Sequence, residues 1–302
     1  MAGKAEWVAI DWGTSNVRAW GIDIEGSIAF STGSDRGMGR IGRADYPGVL
    51  NELIGALVPG RAEIVICGMA GARQGWVEAP YLDTPANLHE LSRGAVVPAS
   101  PDTRFAPRIV PGVCQRTAGH EDVMRGEETQ LLGLLGLRPG FAGTVILPGT
   151  HSKWVTIDEG RITRFETAMT GELYELLAEH SVLRHSLSGE RVGQATDDGF
   201  TEGMAAGLAR PQIVTALAFR TRAASLVADK GPDWCSGYLS GLLIGAEVGG
   251  HQGWLTTGAV PLIGSDRLSK LYGTALKTLG IASFAIDAAE ATIAGLKEAR
   301  AQ

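Results

Sequence analysis

The sequence lacks the features of several large protein classes. It has three cysteines, Cys67, Cys114 and Cys235, and their wide spacing fits neither a disulfide framework nor a zinc pattern. A reducing compartment is the simplest setting, so we predict a cytoplasmic protein. The first residues lack the apolar core of a signal peptide. The most apolar stretch, 238–248, is too short to span a bilayer, so no membrane partner is expected.

Basic clusters are missing as well. The 27 Lys and Arg residues are outnumbered by 33 Asp and Glu, giving a net charge of −6. The sequence contains no run of Lys and Arg, which argues against nucleic acid as a partner. The six histidines show no metal-ligand spacing, and no Ser-His-Asp or Cys-His arrangement can be assembled. An anionic small molecule is still compatible with this charge, because local arginines can set the field inside a cleft.

Glycine, by contrast, is abundant, with 42 of 302 residues against a usual share of about 7%. Apolar strand-like runs alternate with segments of helical periodicity, which predicts an α/β protein. The predicted strands include 64–67, 108–113, 259–263 and 282–286, and the predicted helices include 50–58, 127–135, 171–180, 197–208, 211–228, 234–248, 268–279 and 288–299.

The N-terminal stretch predicts a strand, a tight turn and a second strand. An apolar run ends at Asp11, and Gly13, Thr14 and Ser15 form the turn that follows. Backbone N–H groups and hydroxyls of such a turn can bind phosphate in a concave nest, and Asp11 is placed to hold a hydrated metal ion. The alternative is an ordinary hairpin whose polar residues satisfy their own turn.

A second copy of this layout lies at residues 144–162. An apolar strand is followed by Gly149, Thr150 and other polar residues, and the next strand reaches Asp158 before a turn and a third strand. Repeats of this kind indicate repeated structural units. We therefore expect two similar domains, each offering a phosphate-binding turn to a shared cleft.

The two motifs resemble those of known kinases. Residues 11–18 are similar to the first phosphate motif of sugar kinases in the actin-like ATPase superfamily, and residues 147–154 to the second. The sequence Leu-Pro-Gly-Thr-His-Ser-Lys-Trp of residues 147–154 resembles the corresponding motif of the 2-dehydro-3-deoxygalactonokinase family. The resemblance implies two actin-like ATPase (ribonuclease H-like) domains with a nucleotide cleft between them. Residues 1–117 would carry the first phosphate motif and a sugar-acid loop, and residues 118–302 the second phosphate and adenosine motifs. The final helix, 288–300, would lie at the hinge, the alternative being a terminal amphipathic helix.

The resemblance also implies an activity. It is the phosphorylation of 2-dehydro-3-deoxy-D-galactonate to its 6-phosphate in galactonate catabolism, with ATP and Mg²⁺. One alternative is a kinase for another sugar acid, such as 2-dehydro-3-deoxygluconate. Another is a non-catalytic protein of this fold that senses ATP or sugar. A homodimer is left open.

Phosphoryl transfer requires groups that bind phosphate and neutralise charge. Asp11 is the predicted metal ligand, acting through water because Mg²⁺ dehydrates reluctantly. Arg18 and Lys153 would neutralise charge on the phosphoryl group, unless they are solvent-exposed strand residues. Gly264 and Ser265 resemble the adenosine motif. The predicted nucleotide-binding residues are Gly13, Thr14, Ser15, Arg18, Gly149, Thr150, His151, Ser152, Lys153, Gly264 and Ser265.

The catalytic base is predicted from the resemblance. In related carbohydrate kinases an aspartate follows a glycine at the entry of a helix just ahead of the second phosphate motif. Glu127, after Gly126, occupies that place and would accept the proton of the substrate hydroxyl. Asp122 and Glu128 are reserves. The alternative is that glutamates are here only because the helix dipole favours them.

A glycine-rich loop follows the predicted strand 64–67, at the sheet edge where α/β proteins bind ligands. We predict that Arg73 binds the carboxylate of the sugar acid, since arginine matches carboxylates with two hydrogen bonds, and that Trp76 shields the ligand from water. The alternatives are a connection without a ligand, and a surface Arg73 paired with Glu78. The full predicted loop set is Met69, Gly71, Arg73, Gln74 and Trp76.

Overall fold

A computed structural model describes residues 5–187 and 194–302. In chain order the elements are β1 (Trp7–Trp12), β2 (Val17–Ile22), β3 (Ile28–Ser34), α1 (Tyr46–Ile54), β4 (Ala62–Gly68), β5 (Tyr81–Asp83), β6 (Ala86–Asn87), β7 (Phe105–Ile109), β8 (Gly112–Gln115), β9 (Asp122–Met124), α2 (Glu127–Leu137), β10 (Gly143–Leu147), β11 (Ser152–Asp158), β12 (Arg161–Ala168), α3 (Thr170–His180), α4 (Gln194–Ala209), α5 (Val214–Val227), α6 (Pro232–Gly250), β13 (Val260–Gly264), α7 (Asp266–Thr278), β14 (Ser283–Asp287) and α8 (Ala288–Ala301). Short 3-10 helices include Met38–Arg40, Met69–Gly71 and Leu88–Gly94. The predicted α/β class is confirmed.

The chain divides into two compact units. Unit 1 contains the residues up to Ala142 with Ile157–Arg164 and Ala288–Gln302, and unit 2 contains Gly143–Thr156 and Phe165–Asp287. The division after Ala142 differs from the boundary expected after residue 117, because α2 packs against α8 within unit 1. The functional domains assigned from the resemblance stay a prediction.

The main sheet of unit 1 has the strand order β3-β2-β1-β4-β7. β1 pairs antiparallel with β2 and parallel with β4, and β4 pairs parallel with β7. The register places Trp12 beside Gly68, so the ends of β1 and β4 meet at one edge. A buried apolar cluster that includes Ile10, Ile64 and Leu50 packs against this sheet.

The second large sheet repeats that order. Its strands run β14-β13-β10-β11-β12, with β6 added beside β12, and β10 pairs parallel with β13, as β13 does with β14. Numbered from the first strand of each hairpin, both sheets read third, second, first, fourth, fifth. This repeat is the structural counterpart of the two similar hairpin motifs in the sequence.

One small sheet was not predicted. β5, β8 and β9 form a three-stranded sheet in unit 1, and each strand has only three or four residues, too few to show a clear alternation. The strand predicted at 108–113 contains Pro111, and the structure divides it between two sheets: the chain leaves the first sheet after Ile109 and enters this one at Gly112. Pro111 lies at the break, where it cannot donate a hydrogen bond to a ladder.

Glycines allow two pairs of helices to pack very closely. In unit 1, a Cβ built on Gly133 of α2 would lie 1.9 Å from the carbonyl oxygen of Ala291, and one on Gly295 of α8 would lie 1.8 Å from that of Thr129. The close packing of small residues expected for the final helix is therefore present, and its hinge role stays a prediction. In unit 2, α4 and α6 pack through glycines at four-residue intervals: Gly199, Gly203, Gly207, Gly237, Gly241 and Gly245.

Among the described residues, no helix is both long and apolar enough to cross a membrane.

Candidate active site

The first turn has its carbonyl groups held by a neighbouring segment. The N–H groups of Gly37, Met38 and Gly39 donate to the carbonyl oxygens of Ser15, Gly13 and Thr14, at 3.2, 3.0 and 2.8 Å. A Cβ built on Gly37 would lie 2.4 Å from the carbonyl carbon of Ser15. Only glycine fits this close backbone contact, which orients the peptide groups of the turn.

The amide groups of that turn point elsewhere. Thr14 and Ser15 are exposed, and their N–H groups make no hydrogen bond within the part of the chain that the structure describes. Successive free backbone N–H groups at a turn form a concavity that binds anions. The first turn therefore has the geometry of a phosphate site.

The second turn is built in the same way. The N–H of Glu172 donates to the carbonyl oxygen of Thr150 at 3.0 Å. A Cβ on Gly171 would lie 2.6 Å from the carbonyl oxygen of Gly149, so the start of α3 packs directly on the turn. Over residues 5–187 and 194–302, no acceptor is found for the N–H groups of Gly149 and Thr150.

The side chains that follow the second turn diverge. His151 is exposed and hydrogen-bonds to Glu172. The hydroxyl of Ser152 is fully buried and lies 2.8 Å from that of Tyr272, so it faces the interior instead of the turn's exposed face. Lys153 is 5% exposed and its Nζ donates to Thr167 Oγ1 at 2.6 Å. The alternative of a solvent-exposed Lys153 is therefore wrong.

Asp11 lies at the carboxyl end of β1, directly opposite Arg18 of β2. Arg18 Nη2 donates to Asp11 Oδ2 at 2.8 Å, and the side chain of Asp11 is 17% exposed against 48% for Arg18. Burial raises the pKa of Asp11, and the charge and hydrogen bond of Arg18 partly offset that effect. Cys67 Sγ is 4.0 Å from Asp11 Oδ1, and burial, followed by the charges of Asp11 and Glu128, raises the pKa of the thiol.

The start of α2 lies at the same sheet edge. Gly126 has a φ of 112°, a conformation that favours glycine, and a Cβ there would be 3.5 Å from the Cα of Gly68. Both oxygens of Glu128 accept from the N–H of Gly126, at 2.9 and 2.7 Å. Glu128 is fully buried, and burial, followed by the charge of Glu127, raises its pKa to about 8.

The three candidate bases are therefore in different environments. Glu127 is partly exposed, and its Oε2 accepts from the N–H of Arg125 at 3.1 Å. Glu128 is enclosed and caps its own helix. Asp122 lies in β9, where its carboxylate accepts from the N–H of Val123 at 2.7 Å. Glu127 and Asp122 are both partly exposed, as a base for a bound hydroxyl must be, and of these two only Glu127 lies at the start of α2.

The predicted sugar-acid loop follows β4 as expected. Met69 is partly buried and Gly71 is buried, whereas Arg73 and Gln74 are exposed. Arg43 holds the loop, since its guanidinium donates to the carbonyl oxygens of Arg73 and Gly75. Within the described residues, Arg73 forms no ion pair with Glu78.

Trp76 is placed differently from the expectation. Its side chain is 6% exposed, stacks on Tyr46 with ring centroids 5.7 Å apart, and meets the edge of Trp12 at 6.3 Å. The indole thus packs in the core of unit 1 and anchors the loop. Its role as a shield over a ligand stays a prediction that this packing does not favour.

Gly264 and Ser265 lie beside the second turn. Gly264 ends β13, and a Cβ there would be 3.1 Å from the carbonyl oxygen of Pro148. The Ser265 hydroxyl accepts from the N–H of Leu268 at 3.4 Å, which caps α7. A cavity of about 140 Å³ adjoins this edge in unit 2, lined by Gly149, Thr170, Gly171, Tyr174, Ser240, Leu243, Ile244, Arg267, Leu268, Leu271 and Tyr272.

Sequence reasoning missed the segments that support the two turns. Residues 37–39 were assigned no role, and Gly171 was placed in the predicted helix 171–180. The sequence does mark these segments, because they contain glycines that no local turn requires. The turn that each segment contacts is distant in sequence, so only the structure identifies it.

The repeated strand order and the paired turns define an α/β protein built on two similar sheets, each with a turn that follows its first strand. The chain belongs to the 2-keto-3-deoxy-galactonokinase family, whose model matches residues 11–299. It is 40% identical over 301 residues to a protein of Rhizobium meliloti (strain 1021) named "Probable 2-dehydro-3-deoxygalactonokinase", covering 99% of this chain and 98% of that one.

Two further proteins with names of the same family match nearly the whole chain. The 2-dehydro-3-deoxygalactonokinase of Escherichia coli (strain K12) is 34% identical over 294 residues, with 97% of each chain covered. A crystal structure of a Sinorhizobium meliloti protein assigned by name to the same kinase has a TM-score of 0.90 and 40% identity, covering 97% of this chain and 95% of that one.

Proposed function

We propose that this protein is a kinase that transfers the γ-phosphoryl group of ATP to the terminal hydroxyl of 2-dehydro-3-deoxy-D-galactonate, giving the 6-phosphate. The family membership over residues 11–299 supports the reaction. The single structural observation that carries it is the pair of turns whose carbonyl groups are tied back and whose N–H groups are free. A reaction that depends on positioning and charge stabilisation needs such preorganised donors.

The two turns would bind the phosphate chain of ATP. The N–H groups of Thr14 and Ser15 form one set of donors, and those of Gly149, Thr150 and His151 form the other. The hydroxyls of Thr14 and Thr150 are exposed beside them. Ser152 would contribute through its backbone, since its hydroxyl faces inward. Arg18 would neutralise phosphate charge from the exposed side of β2, and Lys153 would contribute positive charge from its buried position in β11.

Glu127 would orient the substrate hydroxyl and accept its proton. Its carboxylate is partly exposed and is steadied by the N–H of Arg125, at the same end of the sheet as Asp11 and the first turn. Phosphoryl transfer depends on this orientation together with neutralisation of the phosphate charge, and it needs little covalent chemistry from the protein.

Asp11 would hold Mg²⁺. Among the described residues no group of three or more His, Cys, Asp or Glu could hold a metal, so a cage made only of protein ligands does not fit. A single strand-end carboxylate does fit Mg²⁺, which keeps most of its waters and takes its other ligands from the nucleotide phosphates. When bound, the ion would neutralise charge on those phosphates.

The cavity of unit 2 is the proposed site of the nucleoside. Gly264 and Ser265 border the second turn, and the cavity walls combine apolar side chains with the hydroxyls of Thr170, Tyr174 and Ser240, a composition typical of small-molecule pockets. Gly149 lies in both the turn and the cavity wall, so the phosphate chain and the nucleoside would meet there.

The loop 69–76 is the proposed site of the sugar acid. Arg73 is exposed and its backbone is held by Arg43, so its guanidinium is free to bind the carboxylate. Met69, Gly71 and Gln74 would complete the contact surface. A cytoplasmic location is part of this proposal and agrees with three free, buried cysteines; a homodimer stays a prediction.

The test is a coupled ADP-release assay over a panel of 2-keto-3-deoxy sugar acids and neutral sugars. The expected result is the highest kcat/KM for the galactonate derivative, with the phosphate on the terminal oxygen by NMR. The gluconate derivative differs at one hydroxyl and serves as the matched control. Equal kcat/KM for both epimers would contradict the assignment of the galactonate derivative as the substrate. The absence of ADP release with every acid would contradict the proposed kinase activity.

A further inference from the structure

Glu247 is a buried carboxylate in the most apolar helix of unit 2. It lies in α6, among Leu243, Ile244 and Val248, and is 7% exposed. A buried ionised carboxylate is unfavourable unless donors surround it, whereas an apolar residue at this position would need no such donors. The role of this carboxylate therefore follows from the groups that donate hydrogen bonds to its two oxygens.

Its two oxygens accept from two different elements. Trp154 Nε1 of β11 donates to Oε1 at 2.7 Å, and the Tyr272 hydroxyl of α7 donates to Oε2 at 2.6 Å. The hydroxyl of Thr170, at the start of α3, is a further donor, and all three bonds oppose the rise that burial causes in the pKa of Glu247. One carboxylate thus joins α3, α6, α7 and β11.

The carboxylate also fixes the direction of the next hydrogen bond. A carboxylate only accepts, so the single proton of Tyr272 is directed to Glu247. Ser152 Oγ, 2.8 Å from the Tyr272 hydroxyl, must then be the donor in their bond. The chain Ser152–Tyr272–Glu247–Trp154 is therefore ordered at every step, and Ser152, Trp154 and Tyr272 are each 2% exposed or less.

These residues connect the second turn to the proposed nucleotide site. Ser152 and Trp154 are the first and third residues of β11, directly after the second turn, and they share one face of the strand. Thr170 and Tyr272 line the cavity that Gly149 borders. The chain of hydrogen bonds therefore joins the strand that carries the phosphate turn to two walls of the nucleoside cavity.

We propose that Glu247 is a positioning residue for nucleotide binding. It orders the chain of hydrogen bonds Ser152–Tyr272–Glu247–Trp154 and so fixes the position of the second turn relative to the nucleoside cavity. This inference rests on the proposed kinase function. Glu247 does not touch the nucleotide. It acts through Ser152, Trp154 and Tyr272.

Two variants test the inference. Glu247→Gln keeps the shape but gives one arm a donor, which must face either the Trp154 N–H or the Tyr272 hydroxyl. Tyr272→Phe keeps the ring and breaks the chain at its centre. Small displacements at a binding site cost up to about 10²-fold, so we expect the Kd for Mg²⁺ and a non-hydrolysable ATP analogue to rise on the order of 10- to 100-fold in each variant. KM for the sugar acid should stay near the wild-type value.

The controls separate positioning from general loss of stability. Tyr238 is equally buried in unit 2, and its hydroxyl contacts the carbonyl oxygen of Leu217 at 3.5 Å and the side chain of Arg220. These partners lie outside the chain of hydrogen bonds and outside the cavity lining, so Tyr238→Phe should bind nucleotide as the wild type does. Because Glu247 and Tyr272 act in one chain, the double variant should lose no more affinity than the weaker-binding single variant. A merely structural role predicts additive losses and a rise in both KM values.

The outcomes are distinguishable. Wild-type protein that binds no ATP analogue would overturn the proposed function itself. Wild-type binding with an unchanged Kd in folded Glu247→Gln would overturn only this inference. If Glu247→Gln does not unfold cooperatively on heating, Tyr272→Phe decides, and a wild-type Kd in that variant would overturn the inference.

Discussion

The turn at 13–15 and the turn at 149–151 share a backbone design but stand in different surroundings. In each, a glycine-containing segment packs against the turn and binds its carbonyl groups, while N–H groups of the turn stay free. Around the first turn lie ionisable groups that reach solvent, among them Asp11, Arg18 and Glu127. Behind the second lies a buried hydrogen-bonded chain and an apolar cavity.

This difference shows that the two turns share their backbone design and not the side chains around it. A backbone nest needs no particular side chain, so the residues beside it can diverge. Unit 1 has the charges and the candidate base, which suits the reacting hydroxyl. Unit 2 has an enclosed wall for the nucleoside. The predictions below test this division of labour.

Glu127→Gln should give the largest effect and should belong to unit 1 alone. Removing a general base costs ~10²–10⁴-fold in rate, while nucleotide affinity, assigned largely to unit 2, should stay unchanged. Both kcat from the coupled assay and the Kd of an ATP analogue are measured.

Glu128→Gln is the matched control for that change. With a pKa raised to about 8, Glu128 is mostly protonated at neutral pH, so the amide resembles the group it replaces and activity should largely remain. Loss of activity in Glu128→Gln or Asp122→Asn, with Glu127→Gln active, would show that the base is misassigned.

The supports of the two turns can be broken in parallel. Gly37→Ala and Gly171→Ala each place a methyl group within 2.4–2.6 Å of backbone atoms, so the turn must shift, with a loss of up to about 10²-fold in kcat/KM. Gly60→Ala and Gly253→Ala are controls in the same units, because nothing lies within 4 Å of their added Cβ. Equal activity of support and control variants would contradict the shared design.

The sequence predicted the turns well and their supports not at all. Asp11, Gly13, Gly149 and Lys153 belong to short local motifs, and strand–turn–strand patterns depend on neighbouring residues. The contacts of Gly37 and Gly171 depend on long-range packing that no local pattern contains. The burial of Trp76 and the inward direction of the Ser152 hydroxyl could not be predicted for the same reason, since side-chain direction follows from what packs behind the strand.

Most helices and long strands were also predictable, because their apolar periodicity is strong. The short strands β5 and β9 were missed, since three residues carry no measurable period. Glu247 offered one usable signal, a single charged residue inside the apolar stretch 238–248. The sequence could mark it as unusual but could not identify its partners, which lie on β11 and α7.

Arg73→Ala should have a smaller effect than the changes above and should be confined to the sugar acid. A charge-assisted hydrogen bond contributes about 1.5–3 kcal/mol, so KM for the acid should rise roughly 10- to 100-fold with KM for ATP unchanged. Arg73→Lys should restore binding only in part, because the planar fork is lost. Arg93→Ala, which removes an exposed arginine paired with Glu90, is the control. An unchanged KM for the acid in Arg73→Ala would exclude this loop as the carboxylate site.

The smallest expected effect is a change in pH dependence around the first turn. Asp11 must be ionised to hold a cation, and Arg18 lowers its pKa against the rise caused by burial. Arg18→Gln removes that lowering, so the pKa of Asp11 rises and the carboxylate is protonated at a higher pH. The acidic limb of kcat/KM should therefore move to higher pH, in addition to any loss of rate from the missing positive charge. Arg116→Gln is the control, since Arg116 pairs with the exposed Asp83 away from the turn, and its profile should match the wild type. The second turn has no corresponding carboxylate–arginine pair among the described residues, so the shift should appear only when unit 1 is changed. A wild-type acidic limb in Arg18→Gln would show that Asp11 does not govern activity, and the metal would then have to be assigned to another group.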